Sequence, residues 1–244
     1  MPTLSGNTIP PQPCSPATLK ALNQHYATLS PTNLLQWAYT TYGSSLVVAT
    51  SFGLSGMVIL HTVAQMQPRP PVFYLQTDLF FPETLTLRDE LATRFALEFI
   101  EVHSGLSLAA QEQQYGPELW RRDPDLCCHL RKVRALRHFL EDKRAWVTGL
   151  RRDQSPTRAQ TDLLAWDNTH HLLKLNPLAL WTREQVWDYI HKHDMPYNLL
   201  HDQSYPSIGC WPCTKPTEMA VNERMGRWSD FGKTECGIHV DYIL

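Results

Sequence analysis

Short apolar runs recur along this chain, each followed by a stretch with helical spacing, and that alternation limits the fold more than any other feature. SSLVVATS (44–51) reads as a buried strand and MVILHTVAQM (57–66) as the helix after it. SFGLSG between them carries the glycines of a tight strand-to-helix turn. PPVFYLQT is a second strand, and Pro82 opens a helix with Leu87, Leu91 and Phe95 on one face. LEFIEV, RAWVTG and HLLKLNP are predicted as the third, fourth and fifth strands. Thr182 and Gln185 form a capping-box pattern for the helix REQVWDYIHKH. Strands and helices alternating at this spacing imply a parallel sheet covered on both faces, an α/β fold. Ligands in such sheets sit beyond the strand carboxyl ends. SFGLSG, QTDLFF and GLRRDQSPTR all fall there, so three loops are expected to converge on one crevice.

Three segments are expected. Residues 1–30 read as a weakly ordered Pro-rich arm, 31–215 as the α/β domain, and 216–244 as an irregular C-terminal arm over the crevice. The 244 residues carry a net charge of −2, which offers no bulk basic field for nucleic acid. No run approaches the ~18 uninterrupted apolar residues of a membrane span. The start, MPTLSGNTIPPQPCSP, has neither the charged nor the apolar region of a secretory signal. A reducing, cytoplasmic location is therefore expected, where cysteines serve as metal ligands or catalysts more often than as disulfides.

Six cysteines are present, and Cys14 reads as an exposed thiol without a role. Cys127 and Cys128 are adjacent, and bridging neighbours into a disulfide strains the backbone. Leu130, Val133, Leu136 and Leu140 share the next helix face, flanked by Arg131, Lys132, Arg134 and Arg137. Eighty-one residues separate Cys128 from Cys210, which begins the CxxC pair with Cys213. A thioredoxin-like pair would need strands and helices on both sides, and only 31 residues follow Cys213. Two readings remain open, a structural zinc site and an iron–sulfur cluster. Zinc takes four thiolates in one tetrahedron, better met by two CxxC knuckles than by an adjacent pair. A cubane spreads its ligands over separate irons, and Arg131, Lys132 and Lys215 stand close in sequence to offset its charge. Cys236 is either a stray thiol or a nucleophile, with Lys233 and His239 nearby to favour its thiolate and Gly237 to permit unusual backbone angles.

The motifs SFG, FYLQTDLFFPET, CCHLRKV, TGLRRDQSPTR, LNPLALWT, MPYNLLHD, YPSIGCWPCT and KTECGIH stand in one order. In that order, from about residue 45 to 239, the chain resembles the adenylyl-sulfate and phosphoadenylyl-sulfate reductases of sulfate assimilation, in their cluster-bearing branch. The resemblance implies a Rossmann-like sheet of the adenine-nucleotide alpha-hydrolase type. It also implies one 4Fe–4S cluster on Cys127, Cys128, Cys210 and Cys213, and a nucleophile at Cys236. Substrate contacts are implied for Ser51, Gly53, Leu75, Lys132, Arg152, Arg224, Arg227 and His239. The implied reaction is reduction of adenylyl sulfate, or of phosphoadenylyl sulfate, to sulfite through a Cys-S-sulfonate. Reduced thioredoxin or a similar separate dithiol protein is the implied donor. Gly56 and Gln76 replace residues that are acidic in the family, and both changes are expected to touch nucleotide binding. An ATP-pyrophosphatase-type ligase and a zinc-stapled nucleic-acid-binding module are the competing readings. Neither uses all five of the later cysteines.

Overall fold

Strand β1 (Leu46–Ala49) is an unbroken apolar run because the sheet buries both of its faces. Leu46 and Val48 join a core on one side of the sheet, and Val47 joins Phe73 and Trp146 on the other. The computed structural model describes residues 14–218 and 222–239. Its six-stranded sheet also contains β2 (Val72–Gln76), β3 (Phe99–His103), β4 (Ala145–Val147), β5 (Leu164–Asp167) and β6 (Leu172–Leu175). The strand order is β3-β2-β1-β4-β6-β5, parallel except for β5.

Expectation and structure differ at that edge. HLLKLNP supplies the sixth strand, because LAWD (164–167) forms an additional one antiparallel to it. A four-residue strand in a tight hairpin is too short to display a period of two.

The larger core packs α2 (Pro31–Tyr42), α3 (Leu54–Ala64), α4 (Pro82–Phe95) and α9 (Arg183–Lys192) on one face. The capping box expected at α9 is present, with Thr182 and Gln185 exchanging bonds. On the opposite face lies α8 (Arg134–Leu140), preceded by α5 (Leu108–Tyr115) and α6 (Leu119–Arg122) and continuous with α7 (Pro124–Cys128) through a π-helical turn at His129–Val133. That turn divides the apolar stripe. Leu130 packs with the cysteines, whereas Leu136 and Leu140 pack under the sheet.

The arm expected over residues 1–30 requires correction from Cys14 onward; residues 1–13 lie outside the described ones. Ser15 caps α1 (Pro16–Tyr26), whose Leu22 and Tyr26 are buried in the core. Serine followed by proline is a helix start as well as a disorder composition, and burial of the helix face decided between them. Cys14 is likewise buried rather than exposed. The Asn23 amide acts as a strand surrogate, donating to Leu164 O at 2.7 Å and accepting from Leu164 N at 3.0 Å. Those bonds occupy the free edge of β5, which would otherwise invite another strand.

Asn23→Ala leaves a buried backbone donor and acceptor at Leu164 without partners. Chemical unfolding is expected to show a loss of about 1–3 kcal/mol.

Candidate functional site

Between β1 and β4 the chain order of the sheet reverses, and a cavity opens beyond the carboxyl ends of the strands there. Ser51, Gly53 and Gly56 line it from the β1–α3 connection, Leu75 and Thr77 from the end of β2, and Thr148 and Gly149 from the end of β4. The first turn of α3 therefore faces the cavity with its unpaired N–H groups, a setting that favours anions. The three expected loops do converge.

The C-terminal segment closes the cavity, contributing Arg224, Arg227, Cys236 and His239. Backbone bonds fasten it. Trp228 N donates to Cys213 O at 3.0 Å, Lys215 N to Gly226 O at 2.9 Å, and Trp211 N to Leu79 O at 2.8 Å. The Arg227 guanidinium passes so close over Gly209 that a Cβ there would lie 2.1 Å from its Nη2. Arg227 stacks on Trp228 at 4.6 Å and donates to Ile208 O at 3.3 Å.

Of the residues named from sequence, Ser51, Gly53, Leu75, Lys132, Arg224, Arg227, Cys236 and His239 all line this cavity. Arg152 does not. Its guanidinium turns outward to Thr161 O at 2.7 Å and Asp162 at 3.2 Å. Arg158 takes the inward place, carried by the short helical turn Pro156–Arg158. Three arginines in LRRDQSPTR could each have filled that role, and only the turn's geometry distinguishes them. Gln76 also lies away from the cavity; its Oε1 accepts from Asp78 N at 3.0 Å.

Lys132, Arg224 and Arg227 act on the Cys236 thiol, which is only 9% exposed, and Arg158 lines the same cavity. Burial alone would raise that thiol, but Lys132, the backbone N–H of Ile238, Arg224 and Arg227 together lower it below the ordinary 9.0. Gly237 makes the Ile238 contact possible with φ +88°, an angle that disfavours other residues. Burial alone would lower Lys132, yet the nearby sulfurs of Cys210, Cys128 and Cys236 outweigh it and raise the ammonium above its ordinary 10.5. Arg224 is pulled down to about 9 by burial, Arg158 and Arg227, and so remains charged at neutral pH. Of the nearby cations expected from sequence, Lys233 bonds Pro124 O and Asp125 and is also raised by Cys236, so it favours the thiolate, whereas His239 is held neutral by burial and by Lys174, Arg158 and Arg224. Buried polar atoms remain unused, for among the described residues Arg224 Nε, Arg227 Nε and His239 Nδ1 have no hydrogen-bond partner.

Cys127, Cys128, Cys210 and Cys213 are free thiols in one buried cluster with Trp120, Trp228 and Cys236. Among the described residues, no three Cys, His, Asp or Glu side chains are grouped so as to hold one metal ion. Burial, followed by neighbouring thiolates, pushes Cys127 up to about 12 and Cys213 up to about 11. A ligand that binds thiolates must therefore displace protons there. Arg131 is buried behind the pair, bound to Thr77 O at 3.0 Å and Asp78 at 3.1 Å. Lys215, expected to help offset charge, instead pairs at the surface with Asp230.

Comparisons with known proteins follow this geometry. Residues 45–216 match the phosphoadenosine phosphosulfate reductase domain. The adenosine 5′-phosphosulfate reductase of Salinibacter ruber is 52% identical over 93% of this chain and 90% of its own. The phosphoadenosine 5′-phosphosulfate reductase of Gloeobacter violaceus is 44% identical over 91% of this chain and 93% of its own. The crystal structure of phosphoadenylyl-sulfate reductase from Candida auris, in its phosphate complex, superposes with a TM-score of 0.72. It is 31% identical and covers 82% of this chain and 98% of that one.

A thiol held low by Lys132 gives two expected outcomes. Alkylation of Cys236 by iodoacetamide, followed by peptide mass spectrometry, rises and levels off below pH 9, because thiolate is the reacting form. In Lys132→Met the same rise moves upward by about 1–2 pH units.

Proposed function

The chain belongs to the phosphoadenosine phosphosulfate reductase family, and from that premise we propose that it reduces adenylyl sulfate to sulfite and AMP. The electrons come from a reduced dithiol protein of thioredoxin type. The observation that carries this reading is one low-lying thiol, Cys236, facing a cavity lined by four cations and three unused buried donors. Such a surface suits an anionic substrate attacked at sulfur. Greater similarity to the relatives named for adenylyl sulfate favours that nucleotide. Phosphoadenylyl sulfate, by the same chemistry, is the second reading.

The Cys236 thiolate attacks the sulfur of the phosphosulfate. An Sγ–S bond forms, the bond from sulfur to the bridging oxygen breaks, and its electron pair leaves with AMP. Arg224, Arg227 and Lys132 hold the oxyanions and offset the charge growing on the leaving phosphate. Neutral His239 contributes a hydrogen bond at Nδ1 rather than a positive charge. A thiolate of the donor then attacks Cys236 Sγ, and sulfite leaves with the Sγ–S electron pair. The donor's second thiol resolves the mixed disulfide, so one dithiol becomes a disulfide for each sulfite formed.

Cys127, Cys128, Cys210 and Cys213 would hold a 4Fe–4S cluster. The donor set supports it, being four buried free thiols brought from two segments into one apolar cluster. When bound, the cluster supplies a fixed charge and polarisable sulfurs beside Lys132. Cysteines kept as free thiols suit a reducing compartment, which supports a cytoplasmic enzyme. No helix among the described residues is long and apolar enough to cross a membrane.

Intact mass of the anaerobically purified protein, after adenylyl sulfate is added without any thiol donor, is expected to gain one sulfonate at Cys236. Reduced thioredoxin then discharges it. Gain only with phosphoadenylyl sulfate would move the enzyme to the second reading, and no adduct with either would sink both. Iron and sulfide analysis separates the two cysteine roles. Cys236→Ser keeps the iron and gains no sulfonate, whereas Cys213→Ser loses the iron.

A further inference from the structure

Glu235 precedes the nucleophile and places a carboxylate among cations that the reaction needs for an anionic substrate. Charge alone argues against an acid at that point. Its contacts explain it. Arg158 donates to Glu235 from Nε and Nη2, both at 2.7 Å, in a bidentate pair. Arg224 Nη2 reaches the same carboxylate at 3.1 Å and the Thr234 carbonyl at 3.0 Å. Thr157 Oγ1 adds a bond at 3.3 Å. All three charged side chains are nearly buried, at 11–12% exposure.

This clamp joins two separate parts of the chain. Arg158 and Thr157 belong to the loop after β4, whereas Glu235 and Cys236 belong to the C-terminal segment. Lys233 ties that segment to α7, and Arg224 ties it to itself. Among the described residues, Glu235 is the one whose side chain joins residues 233–236 to the loop after β4. The pair also turns Arg224 so that its Nη2 is consumed while its Nε stays without a partner among the described residues. A donor is thus left for substrate.

We propose that Glu235 is a positioning residue that seats Cys236 in the cavity for attack and whose release admits the external dithiol. The proposal rests on the reading of Cys236 as nucleophile. Sulfonation needs the seated arm, and its rate scales with the seated fraction. Discharge needs the opposite, because Cys236 is 9% exposed and a protein thiol must reach its sulfur. One ion pair therefore acts in opposite directions on the two half-reactions, which a general loss of folding would not do.

The test compares Glu235→Gln with the parent as anaerobic holoprotein of equal iron content. Single-turnover sulfonation of Cys236 by adenylyl sulfate is expected to slow by about tenfold or more, as loss of a charged hydrogen-bonded pair implies. Discharge of the S-sulfonate by reduced thioredoxin stays equal or becomes faster. Alkylation of Cys236 by neutral N-ethylmaleimide accelerates by about tenfold, since the unseated arm is open. Glu235→Asp, which keeps the charge on a shorter stem, restores part of each and carries the comparison should the Gln variant not fold. Unchanged or faster sulfonation with unchanged alkylation would overturn the proposal, as would parallel slowing of both half-reactions. If the parent takes no sulfonate, the function reading fails, while the alkylation comparison still decides whether Glu235 seats the arm.

Discussion

Lys132, Arg158, Arg224 and Arg227 face one cavity at the carboxyl edge of a parallel sheet, and like charges held that close repel. Each has its own means of staying there. Lys132 stands against the cysteine sulfurs, Arg158 and Arg224 share Glu235, and Arg227 lies over Gly209 with Trp228 beneath it. The surrounding architecture is arranged around that crowding. The switch in strand order opens the space, the π turn after the cysteines sets Lys132 at its wall, and the C-terminal segment supplies the rest.

The consequence for chemistry is direct. Cations gathered without a full set of anions lower the Cys236 thiol and leave polar atoms unused among the described residues. In the proposed reaction, a phosphosulfate brings the missing negative charge and its oxygens meet the unused donors. Much of the stabilisation of the reacting state is thus built before substrate arrives, so little reorganisation is needed at the moment of reaction.

The same segment that carries the proposed nucleophile also walls the four clustered thiols. Trp228 packs between Arg227 and the cysteines, and its backbone N–H binds Cys213. Arg227 and the candidate ligands Cys210 and Cys213 are therefore joined through the backbone bonds between 213–215 and 226–228. A shift of Cys210–Cys213 would move Arg227, and with it one side of the cavity.

Five of the six strands and the chemical inventory were legible in the order of amino acids alone. Apolar runs of four or five residues must be buried on both faces, and alternation with helices makes such strands parallel. The adjacent cysteines, the CxxC pair and Cys236 could be read by type and spacing alone. What tertiary structure decided were directions and partners. Arg152 and Arg158 are chemically equal, and only the turn at Pro156 sends one outward and the other inward. His239 looked cationic in a list of residues and is neutral because its surroundings are already positive and dry. Residues 16–26 have the composition of a loose arm and form a helix because Leu22, Tyr26 and Asn23 find a core and a strand edge to cover. Composition and spacing state which groups are available. Burial and the field of neighbouring charges, which depend on residues distant in the chain, determine what each group does.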